Sequence, residues 1–145
     1  MALNKIFVEN KERNRERLLS EIAIPTTTPT TIQPGVPVAF DDGGAVSLTA
    51  SGNATKSTTL PTGETVTYGN GGVGNLQGAA SFAFDGTWEF AVTGATTTTE
   101  SGVEVYITST GGLTLTEGTN THYGWTDYPR DYAKVAGRAA VRIGL

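Results

Sequence analysis

The chain of 145 residues contains no cysteine, one histidine and one methionine. Without cysteine it has no disulfide, no thiolate nucleophile and no thiolate-ligated zinc. With His122 as its one imidazole, a zinc site would need three carboxylate or water ligands. No apolar run approaches the roughly 18 residues that a membrane-spanning helix needs. The N-terminus turns charged at once in NKIFVENKERNRE, so nothing there reads as a secretory signal. Positive charge is scarce over most of the chain: residues 25–129 hold one basic group, Lys56, against nine acidic ones. Such a body is a poor match for phosphates, which argues against nucleic acid as a partner.

The cations that do occur sit at the two ends. Residues 1–24 carry five basic and four acidic groups. Residues 130–145 carry Arg130, Lys134, Arg138 and Arg142 against Asp131. The net charge of −4 therefore hides a segregation of sign. It reads either as solvated faces or as basic ends that meet the acidic bodies of neighbouring copies or of a partner.

Threonine and glycine are abundant, at 25 and 19 residues. The β-branched side chain of threonine favours strands, and glycine marks turns. Residues 35–145 break into short apolar segments bounded by glycine, among them GVPVAF, AVSLTA, TWEFAV, VEVYIT and AAVRIGL. The expectation is a mainly β fold, a small barrel or sandwich, preceded by an extended N-terminal arm. In the last strand Ala139, Val141 and Ile143 alternate with the outward Arg138 and Arg142.

The arm spans residues 1–24. Asn10 can cap a helix over 11–22, with Glu9–Arg13 and Glu12–Arg15 at pairing distance and Leu18, Leu19 and Ile22 as a short apolar stripe. Ile24-Pro25 ends it, because a residue before proline is pushed out of the helical region. A lone helix of this length is marginal in water and needs a surface to pack on. Ile6, Phe7, Leu18 and Ile22 are the candidate apolar anchors, with Arg13 and Arg17 adding charge. Residues 25–34, PTTTPTTIQP, read as a Pro/Thr linker able to reach roughly 30 Å at about 3.1 Å per residue, or else as a loop hugging its own domain.

FAFDGTWEF, residues 82–90, raises a question of register. A two-residue Asp85-Gly86 hairpin would put large aromatics on both faces. A three-residue Phe84-Asp85-Gly86 loop brings Phe82 opposite Trp88 and Ala80 opposite Phe90, giving one apolar face. The same criterion applied to VEVYITSTGGLTLTE selects a Thr110-Gly111-Gly112 loop with Ile107 opposite Leu115. Phe82, Trp88 and Phe90 are then core, Glu89, Glu104 and Tyr106 face outward, and Phe84 at the loop tip is an exposed candidate contact.

Nothing in the chain assembles a catalytic group. His122 could act as a general base with Asp127 or Asp131, but no nucleophile motif accompanies it, and it reads as a strand-end histidine. Asp41-Asp42-Gly43-Gly44 reads as a turn, without the spaced acidic ligands of a calcium loop. The glycine-rich residues 69–78 lack a phosphate-binding lysine and read as a surface loop. The conspicuous cluster is HYGWTDYPRDY: Tyr123, Trp125, Tyr128, Arg130 and Tyr132. Tyrosine, tryptophan and arginine dominate protein interfaces, so the cluster reads as a subunit interface or as core, and aromatics beside carboxylates also suit a sugar.

The polar arm, the Pro/Thr linker, PGVPVAF, SFAFDGTWEF and the terminal VAGRAAVRIGL resemble the small head-decoration (cement) proteins of tailed bacteriophages, with the lambda-type group nearest in layout. The resemblance covers residues 30–92 and 133–145. Residues 95–132 exceed that layout and look more like a related group of phage β-domain capsid proteins. The resemblance implies a β-tulip-like body that binds the outer surface of the virion capsid as a homotrimer, after synthesis in the host cytoplasm. The arm would contact the major capsid protein and clamp neighbouring capsomers. No enzyme activity, metal, cofactor, nucleic acid or membrane is implied. The rival expectation is a carbohydrate- or receptor-binding β domain of a phage fibre or surface protein.

Overall fold

A computed structural model describes residues 6–8, 14–51, 55–59, 61–69 and 78–144. The chain is mainly β, as expected. Its strands among the described residues are β1 (Ile6–Val8), β2 (Asn14–Leu18), β3 (Pro37–Phe40), β4 (Gly43–Ser47), β5 (Thr55–Thr59), β6 (Thr65–Gly69), β7 (Ala79–Ala83), β8 (Gly86–Thr93), β9 (Glu104–Ile107), β10 (Leu113–Thr114), β11 (Thr121–Thr126) and β12 (Arg138–Ile143).

Strands β8, β10, β9, β11 and β12 pair in that order, and β12 returns to β8, which closes a five-stranded barrel. The β10–β8 pairing is parallel; the other barrel pairings are antiparallel. Strand β1 joins β8 beside Thr87 and Trp88. Closure removes the unpaired edges that an open sheet would expose. The barrel interior holds Trp88, Phe90, Val92, Val105, Ile107, Leu113, Tyr123, Val141 and Ile143. The alternation read in the last strand holds: Ala139, Val141 and Ile143 are buried, Arg138 and Arg142 exposed.

A second sheet runs β2-β7-β4-β3, and β5 and β6 form a separate hairpin. Both faces of the second sheet are covered. Ala39, Val46 and Ala83 lie against the barrel core. Val38, Phe40, Ala45, Ala80, Phe82 and Phe84 build a second core with Leu19, Ile22 and Ile32. The residues facing the barrel are small because the two bodies approach closely. A Cβ on Gly44 would sit 2.8 Å from the Tyr123 ring. The Tyr123 hydroxyl donates to Ala45 O at 2.6 Å and ties barrel to sheet.

Several expectations change against this architecture. Residues 14–18 form strand β2, not part of a helix over 11–22, and Leu19–Glu21 add only a single 3-10 turn. Pairing with β7, which places Arg17 beside Ala80 and Leu18 beside Ala79, satisfies the backbone that an isolated helix would have satisfied internally. Arg13, Glu9 and Glu12 lie outside the described residues. The Pro/Thr segment does not reach away. Ile24 bridges to Ala39, Thr26 N–H donates to Ser109 O, and Ile32 is buried, with its N–H donating to Ser51 Oγ at 2.9 Å. Burying Ile22 and Ile32 closes the outer face of the second sheet, which is worth more than a solvated linker.

FAFDGTWEF is not a hairpin in either register. Strand β7 pairs with β2 and β4, while β8 pairs with β1, β10 and β12. Asp85-Gly86, with Gly86 at φ 99°, is the corner where the chain leaves one sheet for the other. The Trp88 indole N–H donates to Asp85 O at 2.9 Å and braces the corner. Large aromatics on both faces, the objection to the two-residue register, mark a segment with a core on each side. Phe84 is accordingly buried at 2% exposure, 5.5 Å from Phe40 between ring centroids, and is no exposed contact.

In the second stretch Ile107 pairs with Leu113, not Leu115. Thr108 N–H donates to Gly112 O, so the loop is Ser109-Thr110-Gly111. A glycine does fill the third loop position, but it is Gly111, at φ 93°. Asp41-Asp42 forms the turn expected of it, between paired Phe40 and Gly43.

Candidate functional site

The outer face of the barrel carries a row of side chains that a regular strand could not align. His122 and Trp125 are three residues apart, which in uninterrupted alternation places them on opposite faces. Strand β11 shifts register between His122 and Gly124. This bulge lets His122 pair with Tyr106 and Trp125 with Glu104, two β9 residues that share a face. Tyr123, between them, turns inward. The bulge demands a glycine at 124, where a Cβ would overlap the Arg142 carbonyl oxygen.

The row is packed ring against ring. Tyr106 meets His122 edge-on at 5.9 Å, and His122 meets Trp125 at 4.5 Å. The Arg142 guanidinium lies 5.8 Å from the Trp125 ring centre, within reach of a cation–π contact. The Tyr106 hydroxyl donates to Glu104 Oε2.

Beside this row opens a cleft of about 270 Å³, at the junction of barrel and second sheet. His122 and Trp125 form one wall, and Asp42 of the β3–β4 turn with Gly43 and Gly44 at the start of β4 form the other. Phe84, Tyr123 and Gly144 line the remainder. Arg17 connects this wall to the N-terminal strand: its Nη1 is 3.5 Å from Asp42 Oδ2, its Nε 3.4 Å from Glu21 Oε2, and its guanidinium lies 4.5 Å from the Phe40 ring centre.

The cluster read from HYGWTDYPRDY therefore divides. Tyr123 is buried and structural. Trp125 is half-buried in the cleft wall. Tyr128 and Tyr132 belong to a strap, residues 127–137, laid over the outer face of β8 and β12. Their rings are 5.2 Å apart, the Tyr132 hydroxyl donates to Glu89 Oε2 at 2.6 Å, and Lys134 Nζ lies 4.7 Å from the Tyr128 ring centre. Arg130 is exposed on the strap. Among the described residues no hydrogen bond joins His122 to Asp127 or Asp131; Asp127 accepts from Thr87 Oγ1 at 3.4 Å. Of the candidate arm residues, Ile6 and Phe7 lie in β1, paired with β8; Arg17 is held internally; Ile22 is core; and Leu18 remains 46% exposed.

Sequence reasoning missed Asp42, Tyr106 and Arg142 as neighbours of Trp125. The local signal available was the Tyr-Gly-Trp spacing, in which a glycine inside a strand hints at a bulge. Among the described residues no group of three or more His, Asp or Glu could hold a metal ion.

The tyrosines have a pH signature. Burial pushes the Tyr123 phenol well up, and burial followed by the Glu89 hydrogen bond does the same for Tyr132. Tyr128 is raised by burial. The hydrogen bond to Glu104, then loss of solvent, pushes Tyr106 up to about 12. Each folded value exceeds the ordinary 10.0, so the associated stability is complete below pH 10 and is lost as pH climbs through the raised values. Spectrophotometric titration is expected to show the phenolates of these four tyrosines appearing above the ordinary pH 10, together with unfolding. Full phenolate absorbance centred near pH 10 in folded protein would refute the assignment.

Comparison with protein-family models, curated proteins and solved structures finds no match to this chain.

Proposed function

We propose that this chain is a structural capsid decoration (cement) protein of a tailed-bacteriophage head, not an enzyme. Many copies bind the outer surface of the capsid through the major capsid protein and stabilise contacts between capsomers. Beyond the sequence resemblance, the supporting observation is how charge is laid out on a closed barrel. Arg138 and Arg142 project from β12, and Arg130 and Lys134 come from the strap above it, with Val135 49% exposed among them. Asp41, Asp42, Glu100, Glu104 and Glu117 face solvent on other elements. A basic wall and an acidic body suit head-to-tail contacts between copies, and such contacts close into a ring when the rotation permits, here a homotrimer. Complementary charge fixes register and speeds encounter, and repetition over a symmetric shell turns modest individual contacts into firm attachment. Leu18, exposed on the edge strand β2, is one arm residue available to contact the shell.

The test is solution mass together with co-sedimentation on expanded phage capsids. The expected result is a salt-sensitive trimer that pellets with capsids, and a weaker assembly when Arg130→Glu and Arg138→Glu are combined. A monomer at low salt that never pellets would remove this reading.

A further inference from the structure

We propose that the cleft between β11 and the β3–β4 turn is a binding site for a single neutral pyranose ring, as a free sugar or as a unit of a larger glycan. This does not rest on the capsid reading: it shares Asp42 with the acidic surface invoked there, but it concerns a different class of ligand.

At about 270 Å³ the cleft is just below the range of roughly 300–1,000 Å³ usual for small-molecule sites, so it suits one ring better than an extended chain. Its chemistry is mixed. Trp125 lines the cleft with its half-buried indole, and His122, packed edge-on at 4.5 Å, holds that indole in place. An aromatic face matches the C–H surface of a pyranose, whose burial is apolar in kind. Across the cleft the Asp42 carboxylate, positioned by Arg17, can accept from hydroxyls, and the His122 imidazole adds a second polar group. Gly43 and Gly44 leave this wall free of side chains, and a Cβ on Gly43 would meet nothing within 4 Å.

The same residues disfavour other ligands. The charges around the cleft come in both signs, Asp42 with Arg17, and Glu104 and Arg142 on either side of Trp125, so it offers no surplus cation to a phosphate or other anion. The cleft is a pocket at a two-sheet junction, not a long apolar groove for a partner's helix or strand.

The intact chain reports on itself. It has two tryptophans, of which Trp88 is buried at 1% exposure and Trp125 lines the cleft. Glucose, galactose, mannose and N-acetylglucosamine, and then oligosaccharides of each, are titrated while tryptophan emission and backbone amide shifts are followed. The expected result is that at least one of them changes Trp125 emission and shifts the amides of residues 42–44 and 122–125, with a Kd on the order of 1 mM. Asp42→Asn, a conservative change at the surface, is expected to weaken that binding at least tenfold, and Trp125→Ala to abolish it. If only oligosaccharides bind, the site is part of a longer glycan footprint and the ring contact stands. No response to any of the sugars, or a response that persists unchanged in Asp42→Asn, overturns the proposal. A cleft filled by capsid protein alone, with no sugar response, overturns it equally.

Discussion

Replacing Trp88 with alanine is expected to destabilise the protein by about 3–5 kcal/mol, the range for removing a large aromatic from a packed interior. The residue is 1% exposed in the barrel core. It also stands on β8, the strand to which β1, β10 and β12 all pair. Two losses combine. The cavity left by an indole cannot collapse within a closed ring of hydrogen-bonded strands, since moving one wall breaks pairing elsewhere. The indole N–H bond to Asp85 O also disappears, and the corner between the sheets loses its brace. Against a total stability of roughly 5–15 kcal/mol for a natural domain, this is enough to leave a substantial unfolded fraction. Denaturant titration checks it: the midpoint should fall steeply with little change in slope. A midpoint within the range of surface substitutions would show that the barrel is not filled as described.

Phe82→Ala is expected to cost a similar amount, about 3–5 kcal/mol, through the other core. Phe82 is fully buried and meets Phe40 edge-on at 5.0 Å. Above it lie Leu19, Ile22 and Ile32, from the segment that precedes β3. That segment is held to the second sheet by packing and a few backbone bonds, so its protection should drop first. Hydrogen exchange is expected to accelerate over residues 19–36 before it accelerates in β9 and β11. For Trp88→Ala the order should reverse. Exchange that rises uniformly in both variants would mean that the two cores unfold as one unit, contrary to this division.

The contrast between these residues shows how far sequence reasoning reaches. That Phe82, Trp88 and Phe90 are buried follows from their bulk and their alternation with small or polar neighbours. That they serve two different cores does not follow, because Asp-Gly chemistry is equally good for a hairpin and for a corner. Either hairpin register requires β7 and β8 to pair with each other; both instead pair with strands distant in sequence. Phe84 was misplaced for the same reason, since the loop tip of a hairpin is exposed and the inside of a corner is not. The arm shows the same limit. Charged residues at helical spacing predict a helix, and only the free edge of β7 explains why residues 14–18 become a strand.

The candidate site was legible in part. Trp125 stood out by type, and tyrosine and arginine near it pointed to a contact surface. Its true neighbours come from β9, β12 and the β3–β4 turn. Tyr128 and Tyr132, close to it in sequence, went instead to the strap.

What the chain determines by itself is its class and its exclusions: a β fold rich in threonine and glycine, no thiol chemistry, charge of opposite sign in body and ends, and the in–out pattern of the last strand. These depend on composition and on period-two alternation, which are local. Tertiary structure alone decided which strands are neighbours, that the FAFDGTWEF stretch turns a corner, that the N-terminal segments pack on their own domain, and that a bulge at Gly124 brings His122 and Trp125 to one face beside Asp42. Backbone pairing in a sheet joins residues far apart in sequence, and no periodicity within a strand specifies which partner it will meet.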